Sequence, residues 1–290
     1  YECPLEDIDL PTACLDNLAH YWPLNEGEGT EVSDSVGEDN GTIEGAEWED
    51  GYLKFISTDE GDGEVIIPHS ESLNLGDNSV TLALWVKVDE WLDTKTTNVV
   101  GKLIYKNKIK TGWSYNLWTS AGWAGKSIFW FTDGTPFEKK NDPEGRQDSM
   151  TQYSYIYNGE VNTAGNPYYP DTHQGLAQDG DWHLVSGVLN REEGTIRTYL
   201  DGHESSGPIR LVPFLGSIDN ETDLTFGGPN FNGYVKNVTL FTEVLTEEDL
   251  TELFELGLDV DHCAEPVAED EGADAAEGEG ECEGDDCAAA

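Results

Sequence analysis

Basic residues are scarce in this chain. Only 15 of its 290 residues are Lys or Arg, against 59 Asp or Glu, and the formal net charge is −44. A polyanion of this density repels nucleic-acid phosphates and anionic membrane surfaces, so neither is expected as a partner. The sequence also lacks any run of 18 apolar residues, which predicts no transmembrane helix and no membrane insertion.

Cysteine is absent from the middle of the chain. All five cysteines lie within the first 14 or the last 28 residues: Cys3, Cys14, Cys263, Cys282 and Cys287. A zinc site would need a second close pair of ligands, which the sequence does not supply. Disulfides are the better interpretation, and they imply a secreted or cell-surface protein. The odd cysteine is either free or paired with another chain.

The sequence shows no secretory signal, and it begins at Tyr1 and not at Met. This fits a mature secreted protein whose signal has been removed, and it fits a trimmed chain equally well.

The chain is nevertheless rich enough in apolar residues to fold. Hydrophobic residues make up 37% and aromatic residues 10% of it. Short apolar or alternating runs are separated by Gly, Asn and Asp, a pattern typical of β-sandwiches and jelly rolls. Examples of the predicted strands are residues 52–56, 64–68, 79–88, 127–131, 183–189, 195–200, 223–226 and 234–241. Asp201-Gly202 is predicted to form a hairpin turn.

One helix is predicted near the C-terminal end. Thr246 is its expected N-cap, and three acidic residues follow at the positive end of the helix dipole. Leu250, Leu253, Phe254 and Leu256 recur at helical spacing, and Gly257 is the expected C′ residue.

The chain divides into three parts. Residues 1–18 form a leader with two cysteines, residues 19–262 the sandwich, and residues 263–290 an acidic tail. From Ala264 onward the tail has 11 acidic residues and no basic one, which leaves −33 on the rest. Within the sandwich, residues 132–180 lack the alternating strand pattern and form a long insertion. Insertions of this length are usually functional or contain small secondary-structure elements of their own.

Four segments in order resemble laminin-G-like, concanavalin A-like lectin/glucanase domains. They are residues 20–48, 53–91, 179–207 and 231–257, and their landmarks include Asp-Trp-His at 181–183 and Tyr-Leu-Asp-Gly at 199–202. The resemblance implies an all-β fold, a two-sheet antiparallel β-sandwich of the concanavalin A-like jelly-roll type with one short C-terminal helix. It implies six or seven strands in each sheet and first and last strands that lie side by side. That adjacency would bring the terminal cysteines together.

The resemblance also implies a calcium site in the loop of residues 34–41. Asp34 would donate a carboxylate, Gly37 and Asp39 backbone carbonyls, and Asn40 an amide oxygen, because Ca²⁺ takes six to eight oxygen ligands. The last strand of similar domains often carries an acidic pair where this chain has Lys236 and Asn237, which weakens any ligand from that strand. The alternative is an Asx-turn loop with no metal.

Aromatic residues point to a carbohydrate surface. Apolar sugar faces stack on exposed rings, and Trp118, Trp123, Tyr155 and Tyr168 are the candidates for such contacts. Core packing or a protein contact surface is the alternative for these residues.

Catalysis is not expected. Glycosidases of related jelly rolls carry two or three carboxylates on one strand, and no strand of this chain has that triplet.

The sequence therefore predicts a secreted, non-catalytic binding or adhesion module that recognises a glycan or an extracellular protein and is stabilised by Ca²⁺. The alternative is a structural subunit of an extracellular filament or surface layer, which would make it a homo-oligomer or polymer. The acidity fits high-salt adaptation, a calcium-rich matrix or a solvating tail, and the sequence leaves these open.

Overall fold

Strands dominate the fold. The computed structural model describes residues 17–58, 60–89, 180–204, 217–229 and 231–258, and the backbone of 96–103, 113–120, 126–131, 152–156 and 205–210. In chain order the strands are β1 Leu18–Trp22, β2 Glu31–Val32, β3 Gly41–Glu44, β4 Glu47–Glu49, β5 Tyr52–Phe55, β6 Glu64–Ile67, β7 Val80–Val88, β8 Thr96–Leu103, β9 Trp113–Ser120, β10 Lys126–Phe131, β11 Gln152–Ile156, β12 His183–Asn190, β13 Thr195–Leu200, β14 His203–Arg210, β15 Leu224–Gly227 and β16 Gly233–Phe241. A 3₁₀ turn, Glu71–Leu73, precedes β7, and one helix, α1 Glu247–Leu256, follows β16.

The strands form two antiparallel sheets, as predicted. The first sheet has the order β14-β13-β12-β7-β16-β5-β4, with β1 paired to β16, and the second has the order β11-β10-β9-β8-β15-β6-β3-β2. Each sheet has eight strands in the described part of the chain, more than the six or seven that the resemblance implied. The predicted insertion contributes one of them, since β11 pairs with β10.

The first and last strands lie side by side, as the resemblance implied. Strand β1 pairs with β16 from Leu18 opposite Phe241 to Trp22 opposite Val238. A bulge interrupts β16 at Asn237, whose φ is 51°. The Asn237 amide accepts a hydrogen bond from the Tyr21 hydroxyl (3.1 Å) and donates one to the Leu258 carbonyl (3.1 Å). Both ends of the described sandwich are therefore tied to the same bulge.

The main core lies between the sheets. Alternate residues of β7 (Leu82, Leu84 and Val86) point inward and are fully buried, together with Phe226 of the second sheet. Phe226 also meets the Trp22 ring edge to face, with centroids 5.3 Å apart. Each such side chain contributes about 1.5–3 kcal/mol by burial, so this layer holds the two sheets together.

A second apolar cluster covers the other face of the first sheet. Helix α1 packs there through Leu250 and Leu253, and Phe254 stacks on Trp85 of β7 at 5.6 Å. Because β7 is covered on both faces here, residues 82–86 at its centre form a continuous apolar run and do not alternate.

The helix begins at the predicted N-cap, Thr246. The Thr246 hydroxyl accepts from the Asp249 N–H (3.2 Å), and Asp249 accepts in return from the Thr246 N–H (2.7 Å).

The predicted hairpin at Asp201-Gly202 joins β13 to β14. Gly202 has φ 80°, and a Cβ there would lie 2.7 Å from the Thr251 Cα, so the hairpin and α1 are in close contact. In the described residues, no helix is long and apolar enough to cross a membrane.

Candidate functional site

The loop between β2 and β3 is organised around the Asp34 carboxylate. Its Oδ1 accepts from the backbone N–H groups of Tyr21 (3.0 Å), Val36 (3.2 Å) and Gly37 (2.9 Å). Its Oδ2 accepts from the Asp39 N–H (3.3 Å) and lies 2.7 Å from Nδ1 of His20. Five N–H groups therefore point at one buried carboxylate, which is the arrangement that favours its ionised form.

His20 faces an acceptor at each ring nitrogen. Nδ1 meets Asp34, and Nε2 lies 3.2 Å from the Ser72 carbonyl, so only the doubly protonated ring can donate to both. Burial disfavours the charged ring, but these hydrogen bonds and the charges of Asp34 and Asp39 outweigh it and raise the pKa of His20. Burial likewise opposes the charge of Asp34, yet the contacts with His20, Tyr21 and Gly37 lower the pKa of that carboxyl. The geometry is that of a buried imidazolium–carboxylate pair.

The other predicted calcium ligands belong to the same loop. The Asn40 amide oxygen accepts from the Asp34 N–H (2.9 Å), and the Asp39 carbonyl accepts from the Trp22 indole (2.8 Å). The Asp39 carboxylate accepts from the Ser72 hydroxyl. A Cβ on Gly37 would lie 2.3 Å from Oδ2 of Asp34, so glycine is required for the backbone to reach that carboxylate.

One oxygen or nitrogen each from His20, Asp34 and Asp39 lies within 4.8 Å of the others, close enough to hold a metal ion. His20 was not among the residues predicted for this site, although it lies in the first strand, only 14 residues before Asp34. The oxygens of Asp34 and Asn40 are already used as acceptors in this arrangement. Calcium binding by Asp34, Gly37, Asp39 and Asn40 therefore stays a prediction, and a bound ion would have to displace some of these donors.

Two of the four predicted glycan-contacting residues occupy one row of the second sheet. Trp118 on β9 and Tyr155 on β11 are both register partners of Ile128 on β10. Trp123 and Tyr168 lie outside the described residues, as do the five cysteines.

The pairing register assigns this row to the outer face of the second sheet. Phe226, which is fully buried in the core, pairs with Val100, Val100 with Leu117, and Leu117 with Phe129. These positions form the inner face, and their sequence neighbours therefore lie on the outer one. The outer positions include four aromatic residues on three adjacent strands: Trp118, Trp130, Tyr153 and Tyr155. We call this set the aromatic row.

A second group of aromatic residues lies on the outer face of the first sheet. The Tyr52 and Trp182 rings are 5.4 Å apart, and the Trp182 and Tyr234 rings are 6.0 Å apart. Three lysines surround them: Lys54 and Lys87 lie 5.5 and 5.7 Å from the Tyr234 ring, and Lys236 lies 5.0 Å from the Tyr52 ring. We call these six residues the aromatic–lysine patch: Tyr52, Lys54, Lys87, Trp182, Tyr234 and Lys236.

The aromatic–lysine patch was not predicted from the sequence. Side chains alternate between the two faces of the sheet along β5 and β16. This alternation puts Tyr52 and Lys54 on one face, and it puts Tyr234 and Lys236 on that same face, so it was the sequence pattern that could have indicated the patch. Which strands are neighbours is a long-range property, so the sequence alone could not bring these pairs together.

A hydrogen-bonded triad anchors one side of the patch. The Lys54 ammonium donates to both oxygens of Glu49 (2.8 and 3.0 Å), and the Tyr234 hydroxyl donates to Glu49 as well (2.6 Å). Hydrogen bonds from Lys54 and Tyr234 lower the pKa of the Glu49 carboxyl. Glu49 thus compensates the charge of Lys54 and fixes the Tyr234 ring.

Acidic side chains also oppose each other on the second sheet. Glu44 of β3 and Glu64 of β6 are register partners, and burial together with the charges of Asp62 and Glu44 raises the pKa of Glu64. An acid of raised pKa is one requirement for hydrolysis of a glycosidic bond, so this pair is the first place to test for catalysis.

His183, from the Asp-Trp-His landmark, has a structural environment. Its Nδ1 lies 2.9 Å from Oδ2 of Asp201, whose Oδ1 accepts from the Leu184 N–H (3.0 Å). The two landmarks of the resemblance therefore contact each other and hold the hairpin turn against β12.

Structural neighbours share the fold of this chain at low sequence identity. The binding domain of botulinum neurotoxin DC in complex with SialylT matches with a TM-score of 0.57 and 15% identity, over 83% of this chain and 51% of that one. A botulinum neurotoxin type C structure, described with two ganglioside molecules, matches with a TM-score of 0.58 and 15% identity over 84% and 52%. The binding domain of Paraclostridial mosquitocidal protein 1 matches at 0.57 and 14% over 82% and 52%.

These comparisons define the fold. No protein-family model matches the chain, and no curated protein matches it. The chain spans about half the length of the structures that it resembles. Its fold is a two-sheet antiparallel β-sandwich that it shares with these binding domains, while a laminin-G relationship stays a prediction.

Proposed function

We propose that this protein is a non-catalytic extracellular module that binds glycans through the aromatic row on the outer face of its second sheet. The observation that carries the proposal is that Trp118 and Tyr155, both predicted to contact glycans, pair with the same residue of β10, Ile128. Trp130 and Tyr153 extend the row by one further pair of positions.

The dimensions of the row suit a saccharide. Neighbouring strands lie about 4.8 Å apart and alternate residues about 7 Å apart along a strand, so three strands offer a surface about 10 Å wide. Sugar rings present apolar C–H faces, and tyrosine and tryptophan combine a large apolar area with a polar group that can reach a hydroxyl. A rigid sheet holds such rings at low entropic cost.

The structural neighbours support a binding role. They include neurotoxin binding domains in complex with SialylT or with rat synaptotagmin II, and a neurotoxin whose cell entry depends on two ganglioside molecules. Because this chain spans about half of those domains, their ligands do not carry over to it. The ligand class proposed here therefore rests on the aromatic row of this chain.

An extracellular location is supported by the placement of the termini. The pairing of β1 with β16 brings the chain that follows the N-terminal cysteines close to the chain that precedes the C-terminal ones. We expect disulfides between these regions, and mass spectrometry without reductant would find paired thiols.

Calcium in the loop around Asp34 is proposed as a structural ion. Support comes from carboxylate oxygens of Asp34 and Asp39 that lie within 4.8 Å of each other, since Ca²⁺ takes oxygen ligands. The ion would replace N–H donors at the carboxylates, and it would stabilise the loop without taking part in binding.

Glycan-array binding tests the proposed function. Trp118→Ala and Tyr155→Ala are expected to weaken binding at least tenfold, because each removes a ring on which a sugar stacks. Ser154→Ala is the matched control, since it lies next to Tyr155 on β11 and pairs with Phe129 on the other face. Absence of binding to any arrayed glycan, with the fold verified by circular dichroism, would contradict the proposal.

A separate assay tests the absence of catalysis. Incubation with polysaccharides is expected to release no new reducing ends. Release that is abolished by Glu64→Gln would replace the proposed function with glycoside hydrolysis at the opposed carboxylates.

A further inference from the structure

We propose that the aromatic–lysine patch is a second binding site, which accepts the carboxylate of an acidic saccharide. All three lysines whose side chains are described, Lys54, Lys87 and Lys236, lie on this one face. The chain has 59 acidic residues and only 15 basic ones, so such a grouping of lysines is unusual for it.

Lys54 is not the ligand-binding cation of this site. Glu49 holds it with two hydrogen bonds, and Asp89 lies 4.0 Å away. Its role is to fix Tyr234, because both side chains donate to the same carboxylate. The Tyr234 ring is thereby positioned between Lys54 and Lys87 before any ligand arrives.

Lys87 is available to a ligand. Within the described part of the chain its ammonium has no carboxylate within ion-pair distance, and its recorded contact is with the Tyr234 ring. The Tyr234 ring is half-buried, and a cation above such a ring is held only weakly, so the Lys87 ammonium can turn to an incoming carboxylate at small cost. A charge-assisted hydrogen bond to that carboxylate is the stronger interaction.

The rings supply the surface for the sugar itself. Trp182 packs against the cluster under α1 and contacts both tyrosines of the patch, so its ring is supported from two sides. Lys236 lies 5.0 Å from the Tyr52 ring but is only 9% exposed, so Lys87 is the cation of the patch that a ligand can reach. Aromatic faces flanked by ammonium groups match a pyranose that carries a carboxylate.

Charge limits the size of the ligand. The net charge of −44 repels a long polyanion at a distance, and Glu49 and Asp89 border the patch. Attraction by Lys87 acts only over a few ångströms, inside the screening length of about 8 Å at physiological salt. A short saccharide with one or two carboxylates satisfies both conditions.

This site lies on the opposite sheet from the aromatic row and does not depend on it. The two surfaces would let one module contact two saccharides, or two parts of one.

Calorimetric titration with short oligomers of uronic acids tests the proposal. The comparison probe is the same oligomer after chemical reduction of its carboxyl groups, which removes the charge and keeps the rings. The unmodified chain is expected to bind the acidic oligomer at least tenfold more tightly than the reduced one.

Two variants distinguish the patch from a general charge effect. Lys87→Gln removes the charge and keeps a polar side chain, and it is expected to abolish the tenfold preference, whereas binding of the reduced oligomer remains unchanged. Arg197→Gln removes the same charge from a cation that already pairs with Glu193 (2.8 Å), and it is expected to leave the preference intact.

Three outcomes would overturn the proposal: equal affinity for both oligomers, no effect of Lys87→Gln, or an equal loss with Arg197→Gln. A synthetic peptide of residues 264–290 that binds the patch when uronic acids do not would identify the acidic segment of this chain as the occupant. If Trp118→Ala abolishes binding to the glycan array but not the preference for the acidic oligomer, the aromatic–lysine patch is unaffected. The two proposals can therefore be contradicted independently.

Discussion

Nδ1 of His20 lies 2.7 Å from Oδ2 of Asp34, and both side chains are buried at the start of the sandwich. The pair connects β1 to the loop that follows β2, and the same carboxylate collects four backbone N–H groups. Removal of either partner would leave a buried charge without compensation. The loop predicted to bind calcium therefore has an internal organisation that needs no metal.

The His20–Asp34 pair predicts a pH dependence of stability. The pKa of His20 is raised from 6.5, so its contribution is complete below about pH 6.5 and is lost as pH rises through the raised value. The pKa of Asp34 is lowered from 3.8, so its contribution is complete above about pH 4 and is lost as pH falls through the lowered value. We expect His20→Gln to cost about 1.5–3 kcal/mol in the free energy of unfolding between these limits.

Denaturant unfolding of both proteins from pH 3 to 9 measures this difference. The control is His203→Gln, because the His203 side chain is 73% exposed. A His20→Gln difference that is constant across the whole range would contradict an ionised pair.

Gly37→Ala is expected to disrupt the same loop. The new Cβ would lie 2.3 Å from Oδ2 of Asp34 and 2.8 Å from Nδ1 of His20, so the pair would have to move. Overpacking of this kind costs about 1–3 kcal/mol. Gly61→Ala is the matched control, since a Cβ there meets no atom within 4 Å, and thermal unfolding of the two variants should differ clearly.

Calcium is expected to raise the melting temperature. An ion present at 100 times its dissociation constant would add about 2.7 kcal/mol to the free energy of unfolding. Melting curves in Ca²⁺ and in chelator measure the effect, and Asp39→Asn should reduce it by weakening one carboxylate ligand. Identical melting temperatures in both solutions would count against the ion.

Thr246→Ala is expected to destabilise the helix by about 0.5–2 kcal/mol, because the capping box loses its side-chain acceptor. Asp249→Ala should cost a similar amount. Since both residues belong to one reciprocal pair, the double variant should cost less than the sum of the single ones. Additive losses in denaturant unfolding would show that the two side chains act independently.

Local sequence signals predicted much of the architecture. Thr246, the Asp201-Gly202 turn and the apolar run of β7 each depend on neighbours along the chain, and all three appear in the structure as expected. Short strands such as β2 and β4, with two and three residues, were not predicted, because so few positions cannot establish a period.

Apolar periodicity and capping determined that this chain forms a β-sandwich or jelly roll with one C-terminal helix, because these signals act over a few residues. Only the tertiary structure decided which side chains meet. His20 reaches Asp34 across 14 residues, and Tyr234 reaches Glu49 across 185. Strand pairing sets such contacts. Which strands pair depends on the burial of one face of each strand, and that burial is a property of the whole folded chain.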